Sequence, residues 1–123
     1  MNSSTLVHEM TTAVRELNVA IDTHNNELYS SAYERLLILP VENLTGDQCR
    51  AILEGDISLL MPYETAYRMH RIVISDNPIV DDFRRFALWL RLFGSDTDAE
   101  ADDIELQGRL EFAKNNDGSE LPW

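Results

Sequence analysis

The sequence predicts an all-α fold, a single compact bundle of five to six helices with an acidic C-terminal segment. Three observations carry that expectation. Apolar residues near the start recur at alternating steps of three and four, capping and stop residues punctuate the chain, and the richest apolar stripe, within 79–93, keeps helical spacing. The domain is expected over 1–114, with 115–123 a flexible acidic tail.

In the first element, Val7, Met10, Val14, Leu17, Ile21, His24 and Leu28 share one helical stripe, with Glu9, Arg15, Glu16 and Asp22 mostly off it. Ser3 or Ser4 would cap its start, and Asn25-Asn26, two poor helix formers, predict a break. A second helix from about Glu27 to Leu39 uses Leu28, Ala32 and Leu36 and is stopped by Pro40. Thr45-Gly46-Asp47-Gln48 has capping-box spacing, so a short helix over 46–54 follows, with Cys49, Ile52 and Leu53 inward and Gly55 as its stop.

Pro62 suits the first turn of a helix over 62–74, whose inner face would be Tyr63, Ala66, Tyr67, His70 and Val73 or Ile74. Asn77-Pro78 opens the most apolar helix, 78–93, with Ile79, Phe83, Phe86, Leu90 and Phe93 on one stripe and Gly94 at its end. That helix is the expected centre of the bundle, with the first helix packed along it. Thr97-x-x-Glu100 again has capping-box spacing, and a last helix would turn Leu106, Leu110 and Ala113 inward. The competing reading is a small hairpin at 104–112 about Gln107-Gly108; the helix is preferred, because an isolated two-stranded hairpin is marginal.

Composition narrows the function classes. The 123 residues carry a net charge of −12, and 44% are hydrophobic, which suits a folded chain and not a disordered one. No run approaches the ~18 apolar residues of a membrane span. The start, MNSSTLVHEM, lacks the basic and apolar regions of a secretion signal, so a cytoplasmic protein is expected. Cys49 is the only cysteine, and on an apolar helical face it reads as a buried, inert thiol. His8, His24 and His70 form no Glu-x-x-His or His-x-x-x-His pair, and the acidic run 96–105 lacks the glycine and closing glutamate of a calcium loop. No cofactor or metal is expected, and no catalytic residues emerge, so an enzyme is the minority reading.

Charge is distributed unevenly. Residues 1–64 carry ten acids against three arginines, 65–93 five arginines against three acids, and 94–123 nine acids against two bases. A field of that overall sign attracts basic partners and disfavours nucleic acid. The spacing from Asp56 to Pro62 is also too long for the turn of a DNA-binding helix pair. The expected partner is therefore a basic, nucleic-acid-handling protein, and the expected role a non-enzymatic antagonist of nucleic-acid-mimic or immunity type. Its candidate contact residues are Asp96, Asp98, Glu100, Asp102, Asp103 and Glu105. A secondary basic cluster, Arg68, Arg71, Arg84, Arg85 and Arg91, would clasp that acidic segment internally, dock it from a second copy, or form local pairs such as Asp81–Arg85. The alternative role is a dimeric adaptor or assembly chaperone acting through the stripe Val7–Leu28.

Overall fold

Capping side chains and prolines mark most of the helix starts, and a computed structural model describes the outcome for residues 2–94 and 98–115. Six α-helices lie among the described residues, in the order α1 (Ser3–Thr23), α2 (Asn26–Ile38), α3 (Gly46–Glu54), α4 (Tyr63–Asp76), α5 (Val80–Phe93) and α6 (Asp98–Asn115). Two single 3-10 turns, Val41–Asn43 and Asp56–Leu60, flank α3. The all-α expectation holds.

Local chemistry explains the boundaries. The cap of α1 is Asn2, not Ser3 or Ser4: its Oδ1 accepts from the Thr5 amide at 2.8 Å. His24 ends α1 in the left-handed region at φ 55°, and the next residue, Asn25, caps α2 by accepting from the Leu28 amide at 3.1 Å. The predicted break at Asn25-Asn26 is therefore a two-residue hinge between caps. Thr45 and Gln48 form the reciprocal capping box at 3.1 and 2.9 Å. Helix α5 starts later than Asn77-Pro78 suggests. Ile79 stands at its N-cap position, and the Asp82 carboxylate reaches back to the Ile79 amide at 2.9 Å.

Two apolar cores share α4. The larger is aliphatic: Leu6, Met10, Ala13, Val14 and Leu17 of α1 pack with Ala32 and Leu36 of α2, Cys49 and Ile52 of α3, and Met69 and Val73 of α4. The smaller joins Phe83, Phe86, Ala87 and Leu90 of α5 to Ala101 and Ile104 of α6, with Tyr67 and Ile74 of α4 against it. Helix 78–93 is thus not the centre, and α1 packs along α2 instead. The reason is geometric: α4 turns Met69 and Val73 to one core and Tyr67 and Ile74 to the other, while α5 has only one buried face.

Polar links fix the α4 junctions. The buried Thr65 hydroxyl donates to the Leu36 carbonyl at 2.8 Å. Arg68 donates to the Leu37 and Leu39 carbonyls at 3.1 and 3.0 Å, closing the C-terminal end of α2. The Gly46 amide donates to Asp76 at 2.6 Å, and a Cβ on Gly46 would sit 3.0 Å from that of Asp76. A larger residue here would force the end of α4 to give way, so glycine suits this close approach of α3.

The last segment bears out the preferred helix and corrects its inner face. Residues 104–112 are helical, not a hairpin, because an 18-residue helix satisfies its own backbone and lays Ala101, Ile104 and Gly108 on α5. Leu106 and Leu110 point outward, 53% and 61% exposed, since each lies about 200° around the helix from a buried neighbour two positions earlier. Asp96, the Thr97 cap and the tail 116–123 lie outside the described residues.

Candidate binding groove beside α5

The predicted acidic contact residues divide. Asp102 pairs with Arg91 at 2.7 Å and Glu105 also pairs with Arg91, so this guanidinium ties α6 to α5. Glu100 accepts a hydrogen bond from the Tyr67 hydroxyl. Asp103 accepts from Gln107 at 2.8 Å on its own helix, and both Asp98 and Asp103 are exposed.

The basic cluster is dispersed. Arg68 pairs with Glu42 at 2.6 Å, and this holds the Glu42 carboxyl below the usual range. Arg71 lies 6.0 Å over the Tyr67 ring. Arg84 approaches Asp81 at 4.0 Å, in place of the expected Asp81–Arg85 pair, and Arg85 crosses to Glu54 on α3 at 2.5 Å. An internal clasp on the acidic segment thus exists through Arg91 among the described ion pairs, with the other four arginines engaged elsewhere. Of the stripe Val7–Leu28, Met10, Val14 and Leu17 are buried in the aliphatic core, Val7 and Leu28 are half-buried, and Ile21 and His24 are exposed.

What the sequence did not disclose is a polar and aromatic groove along α5. Asp82 is 3% exposed and receives Arg50 from α3 through Nε at 2.9 Å and Nη2 at 2.7 Å. Arg50 also donates to Asp47 and to the Asn77 carbonyl, and the carboxylates, Asp82 first and then Asp47, hold its guanidinium firmly protonated. Arg50, Glu54, His70, Asp82, Arg85 and Trp89 line a cleft of about 310 Å³. His70 is 8% exposed, stacked on Phe86 at 5.0 Å and tilted against Trp89 at 4.8 Å. Burial, opposed by the nearby Asp82 charge, holds its imidazole down at about 4, so the ring is neutral.

Trp89 divides this cleft from a second one of about 290 Å³, whose lining is Ser58, Leu59, Met61, Tyr63, Ala66, Trp89 and Phe93. Tyr63 stacks on Trp89 at 4.7 Å, and Trp89 meets Phe93 at 6.2 Å. Leu59 and Phe93 remain 78% and 64% exposed. Burial and then the charges of Glu100 and Glu64 push the Tyr63 phenol up, so two carboxylates lie near the Tyr63 side of this apolar cleft.

The spacing of Trp89 and Phe93, one helical turn apart, was a readable signal for an aromatic face; its pairing with Leu59 and Tyr63 required the tertiary fold. Among the described residues no helix is long and apolar enough to cross a membrane, and no group of His, Cys, Asp and Glu side chains is placed to hold a metal. No protein-family model matches the chain, and neither the curated proteins nor the solved structures yield a match.

Proposed function

We propose that this protein is a non-enzymatic binding protein that engages a basic partner through its acidic surface, as an antagonist of a nucleic-acid-handling protein. One observation carries the reading. At least six of the nine arginines, Arg35, Arg50, Arg68, Arg84, Arg85 and Arg91, are paired with carboxylates of the same chain. With the cations engaged internally, the field felt by an approaching molecule is that of the remaining acids, among them the exposed Asp22, Glu27, Glu34, Asp56, Glu64, Asp98 and Asp103. Such a surface accelerates encounter with a cationic groove and repels a phosphate backbone. The chemistry asked of it is recognition alone.

A tagged pull-down from nuclease-treated host lysate, washed at low and high salt and read by mass spectrometry, tests this. The expected result is a basic nucleic-acid-binding protein recovered near stoichiometry and lost at high salt. A partner that resists high salt, or self-association alone, overturns the reading.

A further inference from the structure

We propose that the apolar cleft between the Asp56–Leu60 turn, the start of α4 and the end of α5 is a docking groove for a basic amphipathic segment of the partner protein. The inference deepens the acidic-surface reading and rests on it for the sign of the partner's charge.

The floor is built for contact. Trp89 packs against Tyr63 and His70 and is partly exposed, so it gives the cleft a fixed apolar wall with little freedom left to lose on binding. Leu59 and Phe93, the most exposed of the lining apolar residues, are accounted for by neither core. Aromatic anchors in a pocket of this kind are the usual centres of binding energy.

Charge selects the occupant. The lining holds no charged side chain. Beside it stand Glu64, which follows Tyr63, and Glu100, which is bonded to Tyr67, the two carboxylates whose charges act on the lining Tyr63. A segment with leucines on one face and lysines or arginines on its flanks meets apolar floor and acidic rim together. A second copy of this chain would bring two acidic rims face to face, which costs affinity.

The groove also has length. From Asp82 to Phe93, α5 covers about 16 Å, three turns of a helix, and Trp89 lines the clefts on both sides of itself. At the far end His70 faces the first cleft, and among the described residues no hydrogen bond reaches its ring. A polar group of the guest would pair with it.

The test uses the full chain and a labelled helical peptide of leucine and lysine, with a leucine–glutamate peptide of the same pattern as control. The Leu–Lys peptide should bind and the Leu–Glu peptide should not. Phe93→Ser should weaken binding ~10-fold or more, and Leu59→Ser, at a still more exposed position, should repeat the loss. The remote double variant Ser30→Ala/Ser31→Ala, at exposed uncharged positions on α2, should change affinity less than ~2-fold. Equal losses from groove and remote variants, equal binding of both peptides, or no binding at all overturn the proposal. So does self-association of the unliganded chain that Phe93→Ser abolishes, which would make a second copy the occupant. Salt-sensitive binding untouched by Phe93→Ser would sink the groove and leave the acidic reading standing; groove binding indifferent to salt would do the reverse.

Discussion

Around α1–α4, aliphatic side chains close on one another, and the polar links run to backbone groups: Thr65 to Leu36, Arg68 to the end of α2, Asp76 to Gly46. Around α5 and α6, the core is smaller and largely aromatic, its outer edge is held by Arg91 with Asp102 and Glu105, and Leu88, Leu92, Phe93, Leu106 and Leu110 all remain more than half exposed. In the first half only Ile38 and Leu59 among the large apolar residues are more than half exposed. The second half carries more than folding uses. That surplus, next to an acidic rim, is what the proposed docking groove draws on.

The largest test of this division is Phe86→Ala. Phe86 is fully buried and touches Tyr67, His70 and Trp89, so its loss should cost about 3–5 kcal/mol in urea unfolding. Because α4 belongs to both cores, circular dichroism and tryptophan fluorescence should still report one transition. Two transitions would show that the halves fold separately.

Next in size is the effect of pH on His70. Above pH 6.5 neither state protonates it; as pH falls, the unfolded chain takes the proton near 6.5 while the folded ring resists down to about 4. Stability should therefore fall through that window by on the order of 3 kcal/mol and level off below it. His70→Phe keeps a ring in the stack and should flatten this part of the profile. An unchanged slope would contradict the assignment.

The smallest contrast compares two ion pairs. Asp82→Ala removes a buried carboxylate and leaves Arg50 with only Asp47 and the Asn77 carbonyl, and should cost about 3 kcal/mol. Arg91→Ala breaks a solvent-facing clasp and should cost under about 1 kcal/mol, read as a small shift in urea midpoint. Equal losses would mean that the α5–α6 edge is as firmly built as the α3–α5 junction.

Legibility in the sequence follows the same division. Helix α3 could be read to its ends, because Thr45, Gln48 and Gly55 act on their own neighbours. The α1 stripe was legible through Met10, Val14 and Leu17, although Ile21 on the same stripe is 44% exposed, beyond the reach of the α2 core. Helix α6 misled the reading of its inner face, since Leu106 and Leu110 lie opposite Ala101 and Ile104, and periodicity cannot say which side a neighbour will cover. The groove was least legible. Arg50 and Asp82 are 32 residues apart, as sequence distance goes, and Leu59 meets Trp89 across a cleft that only the packing of α4 against α5 creates.

The most direct measurement is an amide and indole NMR shift map of the full chain titrated with the Leu–Lys peptide at two salt concentrations. The account predicts shifts at Ser58, Leu59, Tyr63, Trp89 and Phe93, weakened at high salt, with α1 and α2 unmoved. Shifts spread evenly over the acids of α1 and α2, or none near Trp89, would contradict it.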